Sequence, residues 1–207
     1  MFKDREDAGR KLAEALKGRS IPADAVVVAL PRGGVVPGHL VAEALGLPLD
    51  IVVPRKIGAP WDPEYAIGAV AEGGEPIWNE TEAAALDPDD LKDRVAAERV
   101  EADRRLRTYR PGLPPRDLAD KTVIVVDDGI ATGLTMRAAL TTVRKEKAAR
   151  IVVAVPVAPH GASASLKDLA DETVVLSEPL LFGAIGASYH DFPQVDDETV
   201  TRLMRRP

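Results

Sequence analysis

Residues 123–135 read VIVVDDGIATGLT, an apolar run followed by two aspartates and a turn rich in glycine and threonine. The apolar run is typical of a strand that is buried on both faces of a parallel sheet. Gly129 and Gly133 allow the backbone to turn tightly, so that successive N–H groups can converge on one anion at the start of a helix. Carboxylates only accept hydrogen bonds, so Asp127 and Asp128 suit the hydroxyl groups of a sugar. The segment predicts a sugar-phosphate site; an ordinary turn whose aspartates cap a helix is the alternative.

This segment resembles the signature of the type I phosphoribosyltransferases, which bind 5-phosphoribosyl-1-pyrophosphate (PRPP). The resemblance implies an α/β fold with an open, mainly parallel sheet flanked by helices and a small hood. It implies that Asp127 and Asp128, the acidic pair, hold the 2′- and 3′-hydroxyls of the ribose. It also implies that a phosphate loop binds the 5′-phosphate through its amides and threonine hydroxyls; this loop comprises Gly129, Ile130, Ala131, Thr132, Gly133, Leu134 and Thr135.

The composition favours one α/β domain with an appendage, because the chain has 207 residues with 45% hydrophobic and 29% charged residues. We predict a single domain over 1–207 with a helical insertion over 80–110. The absence of cysteine excludes a thiol nucleophile and Cys-ligated zinc. A net charge of -6 argues against nucleic acid as a partner. No apolar run approaches the ~18 residues of a membrane helix, so we expect no membrane partner and a cytoplasmic protein, and we also consider a homodimer.

Strands that alternate with helices predict a mainly parallel sheet, in which ligands bind at the carboxyl ends of the strands. Residues 54–65 contain three prolines and predict a long loop. The predicted strands cover 25–30, 49–53, 66–71, 123–126, 151–155 and 173–176, and the predicted helices cover 4–16, 37–45, 87–109, 136–143 and 163–170.

A second chemical loop, Pro31-Arg32-Gly33-Gly34, follows the first predicted strand and opens onto the same sheet edge. Its glycines free backbone amides, and the planar fork of Arg32 suits phosphate oxygens. The resemblance implies that this PRGG loop binds pyrophosphate, often through a strained or cis peptide, and we assign Arg32, Gly33 and Gly34 to that role. A plain turn with a surface arginine is the alternative.

Two cations follow the second predicted strand, where the resemblance implies a mobile loop that closes over PRPP. Lys56 is the first candidate and Arg55 the second for stabilising the charge of the leaving pyrophosphate, and solvated charge is the alternative. The predicted catalytic set is therefore the acidic pair with Lys56 and Arg32. Mg²⁺ is expected as a cofactor that the substrate oxygens carry, and we assign it no direct protein ligand.

Aromatic residues are concentrated near the end of a chain that has only 4% of them. We predict that residues 178–195, with help from 1–17, form the hood, in which the resemblance implies that an aromatic ring stacks on the acceptor base. The candidates are Phe182, Tyr189 and Phe192. Simple packing of these side chains onto the sheet is the alternative.

The acceptor is the least determined part of the prediction. Ala131 stands where 6-oxopurine-specific members of the family carry an aspartate, which makes hypoxanthine or guanine a weaker candidate without selecting adenine. PRGG, PRKIGAP, PEYAIGAV and YHDFPQV, together with the signature, resemble bacterial phosphoribosyltransferases of unassigned acceptor. The resemblance implies transfer of the 5-phosphoribosyl group of PRPP to a nitrogenous acceptor, expected to be a nucleobase, with release of pyrophosphate. The alternative is a non-catalytic regulatory protein that binds PRPP or a nucleotide.

Overall fold

The computed structural model describes residues 1–114 and 116–205, which form two β-sheets flanked by helices. The predicted domain, 1–207, also includes Pro115, Arg206 and Pro207, which lie outside the described residues. No helix within the described residues combines the length and the apolarity needed to cross a membrane. In chain order the elements are α1 (Arg5–Lys17), β1 (Val26–Ala29), α2 (Val35–Leu45), β2 (Leu49–Ile51), β3 (Arg55–Gly58), β4 (Ala66–Val70), β5 (Ile77–Trp78), α3 (Glu80–Ala83), α4 (Pro88–Tyr109), β6 (Thr122–Val126), α5 (Leu134–Lys145), β7 (Arg150–Val157), α6 (Ala162–Ser165), β8 (Glu172–Ser177), a 3-10 helix (Ile185–Ser188) and α7 (Asp197–Met204).

The main sheet has the strand order β2-β1-β6-β7-β8, and each neighbouring pair is parallel. A smaller antiparallel sheet has the order β3-β4-β5. The predicted architecture, a parallel sheet between helices, is confirmed. Because Ala29 of β1 lies opposite Val126 of β6, the loops that follow these two strands leave the sheet side by side.

Helices cover both faces of the main sheet, which explains why its central strands are apolar along their whole length. On one face, Ile124 of β6 belongs to the same buried cluster as Leu12 of α1. On the other face, Val125 belongs to the cluster that contains Leu140 of α5. Because successive residues of β6 point to opposite faces, α1 lies on one side and α5 on the other side of the strand that leads into the acidic pair.

The start of α1 agrees with the predicted cap, since the Asp4 carboxylate accepts a hydrogen bond at 2.8 Å from a backbone N–H of the first turn. This cap makes Arg5 the first residue of the helix. Just before the cap, Phe2 forms an isolated parallel bridge with Tyr189. The two segments predicted to form the hood are therefore in contact, although the hood itself stays a prediction.

The loop predicted over 54–65 is wrong for Arg55–Gly58, which form β3 and pair with β4. The strand is stabilised by residues that are distant in sequence, because Ile57 is buried in one cluster with Val95 of α4. Proline content misled the prediction here, since Pro54 only precedes the strand and removes no hydrogen bond within it.

Several predicted helix bounds also differ from the structure, among them the start of α2 at Val35. The helix predicted over 163–170 is the single turn Ala162–Ser165, and α5 begins at Leu134, two residues earlier than predicted. Gly133, with φ of +80°, immediately precedes α5. The phosphate loop therefore ends inside the first turn of a twelve-residue helix, where unpaired backbone N–H groups are available to an anion.

The predicted insertion over 80–110 contains α3 and α4, and α4 supports the smaller sheet. Arg94 Nη1 donates to the carbonyl oxygen of Gly58 at 3.3 Å, and Arg99 Nη2 donates to that of Gly74 at 2.8 Å. These contacts fix the β3–β4 hairpin on the side that faces α4.

Candidate functional site

The acidic pair comes directly after β6, at the carboxyl edge of the main sheet. Beside it, the PRGG loop follows β1, and the N–H of Leu30 donates to the carbonyl oxygen of Val126 at 2.9 Å. This hydrogen bond extends the pairing of β1 with β6 up to the loop. Two of the loops predicted from the sequence thus meet where ligands bind in open α/β sheets.

The glycines of the PRGG loop lie against the acidic pair. A Cβ atom on Gly33 would be 1.9 Å from Asp128 Oδ2, and one on Gly34 would be 2.7 Å from Asp127 Oδ1. Both distances are shorter than side chains tolerate, so only glycine fits at either position. The peptide bond between Pro31 and Arg32 is cis. The loop and the two aspartates therefore form one continuous surface.

The two carboxyl groups of the acidic pair perturb each other. The Asp127 carboxylate accepts a hydrogen bond from the N–H of Asp128 at 2.8 Å. Burial, and then the neighbouring Asp128 charge, raise the pKa of Asp127 well above its usual value. Burial also raises the pKa of Asp128, although a nearby arginine opposes this shift. Such a pair resists double ionisation, so its charge state is sensitive to what binds beside it.

The opposing arginine is Arg5, at the start of α1, and the sequence analysis missed it. Its Nε atom lies 2.7 Å from Asp128 Oδ2, and both side chains are only about one tenth exposed. Its Nη1 atom donates to the carbonyl oxygen of Pro193 at 2.6 Å, and its Cζ atom lies 3.6 Å from the ring centroid of Phe192. The only sequence signal was a cation in the first turn of a helix, where the helix dipole disfavours positive charge.

The phosphate loop runs from beneath the predicted hood to the start of α5. A Cβ atom on Gly129 would be 2.7 Å from a methyl carbon of Ile185, and the N–H of Ile130 donates to the carbonyl oxygen of Val157 at 2.9 Å. The next two residues, Ala131 and Thr132, are exposed. The loop therefore has a fixed beginning and an accessible centre.

Arg32 has a different neighbour from the rest of the PRGG loop. Its Nη1 atom lies 3.4 Å from Asp197 Oδ1 at the start of α7. The hydroxyl of Tyr109 donates to the same oxygen at 2.6 Å, and burial, reinforced by this hydrogen bond, raises the pKa of Tyr109 to about 12. The guanidinium of Arg32 is thus held by α7 and not by the acidic pair.

The cations of β3 lie on opposite faces of the strand, as successive residues must. Arg55 Nε lies 2.8 Å from Glu98 Oε2 on the α4 side. Lys56 Nζ lies 2.5 Å from Glu64 Oε2. Glu64 lines a cavity of about 460 Å³ together with Thr132 of the phosphate loop. The structure therefore places the partner of Lys56, and not that of Arg55, beside the predicted site.

Two aromatic rings of the predicted hood, those of Tyr189 and Phe192, contact each other beside the acidic pair. Tyr189 is buried, and its hydroxyl donates to the backbone oxygen of Asp128 at 2.6 Å. Its ring centroid lies 4.7 Å from that of Phe192. The ring of Phe192 is thus in contact with both Tyr189 and Arg5. Phe182 packs at the edge of the same cluster.

The sequence of residues 3–185 matches the family model of the phosphoribosyl transferase domain. The chain belongs to this family. The fold is accordingly the type I phosphoribosyltransferase fold that the resemblance implied.

Relatives of this phosphoribosyltransferase-family chain support the assignment. A crystal structure of the protein TT1426 from Thermus thermophilus is 45% identical, with a TM-score of 0.81 over 98% of this chain and 97% of that one. Curated proteins from two strains of Mycobacterium tuberculosis, CDC 1551 and H37Rv, are 40% identical over 213 residues, and their names assign them provisionally to the phosphoribosyl transferases. The match covers 100% of this chain and 47% of theirs, so this chain spans about half their length.

In the context of this family, the two cations of β3 are expected to respond differently to substitution. For the pyrophosphate release proposed below, we expect Lys56→Ala to lower kcat about tenfold. This loss is smaller than that expected for a buried anion-binding donor, because the Lys56 side chain is 38% exposed. We expect Arg55→Ala to leave kcat unchanged and to lower the free energy of unfolding by up to about 1 kcal/mol. Steady-state kinetics and urea unfolding of both variants measure these effects. A larger loss of kcat in Arg55→Ala would reverse the assignment.

Proposed function

We propose that this protein transfers the 5-phosphoribosyl group of PRPP to a nitrogenous acceptor and releases pyrophosphate. The observation that carries the proposal is the contact between the PRGG loop and the acidic pair, where Gly33 and Gly34 leave no room for a Cβ atom. The PRGG loop and the two carboxylates expected to bind a sugar thus share a surface beside a helix N-terminus. PRPP carries one group that suits each of these parts: a pyrophosphate for the PRGG loop, a diol for the acidic pair and a 5′-phosphate for the N-terminus of α5.

In the proposed reaction, the bond between C1′ and the pyrophosphate oxygen breaks, a bond from C1′ to the acceptor nitrogen forms with inversion, and the proton of that nitrogen passes to the solvent. The acidic pair orients the ribose through its hydroxyls, while the first turn of α5 and the phosphate loop hold the 5′-phosphate. The amide of Gly33, with Arg32 and Lys56, holds the departing pyrophosphate. The N–H of Gly34 donates to the carbonyl oxygen of Leu30 at 3.0 Å and supports the loop from within. Catalysis rests on positioning and electrostatics, and no covalent nucleophile is needed.

We propose that Mg²⁺ enters this site as an ion carried by the substrate. No group of three or more His, Cys, Asp or Glu residues within 1–114 and 116–205 is arranged to hold a metal. Pyrophosphate, ribose hydroxyls and water supply the hard oxygens that Mg²⁺ prefers. When bound there, the ion would neutralise charge on the leaving group, while the PRGG loop supplies the protein's own donors.

A nucleobase is the acceptor that we propose, and the cytoplasm is the compartment. Phe192 is in contact with both Arg5 and Tyr189, so these two residues limit the ring surface on which a base could stack. The stacking roles of Phe182, Tyr189 and Phe192 remain predictions, as does a homodimer.

Incubation with PRPP, Mg²⁺ and one base at a time tests the function. We expect pyrophosphate release that depends on one base in a panel of purines and pyrimidines and that stops without Mg²⁺. Release with none of the bases would contradict the transferase. If PRPP also binds tightly under those conditions, the regulatory alternative explains the site better.

A further inference from the structure

We propose that Arg5 is a positioning residue for the ribose diol: it is the counter-ion of the acidic pair and ties that pair to residues 189–193. The inference rests on the proposed function, because it concerns how the same site receives PRPP. It adds a residue of the N-terminal helix, distant in sequence from both chemical loops.

No other cation of the described residues is placed to take this role. Among residues 1–114 and 116–205, Arg5 is the only cation within 4 Å of either carboxylate of the acidic pair. The other groups that face Asp128 are the carboxyl of Asp127 and the hydroxyl of Tyr189, which is bonded to the backbone oxygen. A buried carboxylate is costly without a partner of opposite charge, and Arg5 is that partner.

Three contacts fix the guanidinium in place, which distinguishes it from a mobile surface arginine. Nε is bonded to Asp128, Nη1 to the backbone of Pro193, and the plane is covered by Phe192. A cation over an aromatic face gains further attraction when water is excluded. Arg5 therefore links residues 192–193 to Asp128, so that the position of these residues determines how the carboxylate predicted to bind the ribose is oriented.

Arg5 does not have to leave when the ribose binds. A carboxylate offers about four lone-pair positions, and Arg5 uses one of them on Oδ2 of Asp128. A hydroxyl can therefore bond to the same group from another side. The bound diol would then meet a carboxylate that is already oriented.

The charge of Arg5 also decides at which pH the pair can accept hydrogen bonds. Burial raises the pKa of both aspartates, while the charge and hydrogen bond of Arg5 lower that of Asp128. The diol needs deprotonated acceptors, so PRPP affinity should rise with pH through these raised pKa values. Without Arg5 the pair holds its protons to higher pH, and the rise should shift upward by about 1–3 pH units.

Calorimetric titration with PRPP and Mg²⁺ between pH 5.5 and 9 tests the proposal on three variants. We expect Arg5→Met to bind PRPP about tenfold more weakly than wild type near pH 6.5 and to recover at high pH, with Arg5→Lys between the two. Arg10→Met is the matched control, because Arg10 lies on the same helix in an exposed pair with Glu6, and its profile should equal that of wild type. A loss of equal size at every pH, or no loss, would overturn the proposal.

A second measurement separates this inference from the proposed function. Carbon NMR titration of the Asp128 carboxyl, without PRPP, should show a higher pKa in Arg5→Met than in wild type. If that shift is found but wild type binds no PRPP, the counter-ion role is supported and the proposed function fails. An unchanged Asp128 pKa overturns the inference even if PRPP binds. Should Arg5→Met fail to fold, Arg5→Lys carries both measurements, with a smaller shift in the same direction.

Discussion

Gly33→Ala is expected to weaken PRPP binding about a hundredfold. The new Cβ atom would lie 1.9 Å from Asp128 Oδ2 and 2.7 Å from its carboxyl carbon, so the aspartate, the loop or both must move by about 1 Å. Arg5 Nε is also close, at 3.2 Å, which limits the space into which the carboxylate can retreat. Because the loop and the acidic pair are predicted to bind adjacent parts of PRPP, one methyl group disturbs both.

Calorimetric titration with PRPP measures this loss, and thermal unfolding shows whether the variant is folded. Overpacking of this kind costs about 1–3 kcal/mol of stability, which a folded variant can tolerate. Gly18→Ala is the control, since φ at Gly18 is -79° and no heavy atom lies within 4 Å of a Cβ built there. Gly33→Ala with the PRPP affinity of wild type would show that the PRGG loop and the acidic pair do not act as one site.

Arg116→Met is expected to lower the free energy of unfolding at pH 7 by about 3–5 kcal/mol, the largest stability effect we anticipate. Arg116 Nη1 lies 3.0 Å from Glu72 Oε1, and both side chains are less than one tenth exposed. Arg116 also bonds to Glu146 and to the backbone of Ile51, while Glu72 accepts from the N–H of Val53 at 2.8 Å. Removal of the arginine leaves a buried carboxylate without its cation.

The pH dependence of Arg116→Met has a definite sign. Burial already raises the pKa of Glu72, and loss of the Arg116 charge raises it further. In the variant, the folded state then binds more protons than the unfolded state, so its stability falls as pH rises above the unfolded pKa of about 4.3. Urea unfolding should therefore show a smaller deficit relative to wild type at pH 5 than at pH 7. Arg10→Met should cost no more than about 0.5 kcal/mol, and an equally small cost in Arg116→Met would contradict the account.

The features that sequence reasoning could predict were those that a short segment determines by itself. The strand before the acidic pair is apolar along its length because both of its faces are buried, and the glycines of VIVVDDGIATGLT belong to the turn that follows. The PRGG loop was likewise recognisable from its own residues. The cap at Asp4 was also local.

The features that could not be predicted depend on residues far apart in sequence. Arg5 and Asp128 are separated by 123 positions, and Arg32 and Asp197 by 165. Neither partner carries a pattern that identifies the other, because tertiary packing brings them together. The same reason explains β3, which reads as a proline-rich loop until Ile57 is seen to pack with α4.

The most direct test of the central claim, that residues 127–135 bind the ribose 5-phosphate part of PRPP, is a calorimetric titration of Asp127→Asn with PRPP and Mg²⁺ at pH 8. Hydrogen bonds to a charged group contribute about 1.5–3 kcal/mol, so we expect an affinity at least about tenfold below that of wild type. Asp24→Asn is the control, since Asp24 is exposed and precedes β1 at the opposite edge of the sheet. The claim predicts a loss confined to Asp127→Asn; equal affinity in Asp127→Asn and wild type would contradict it.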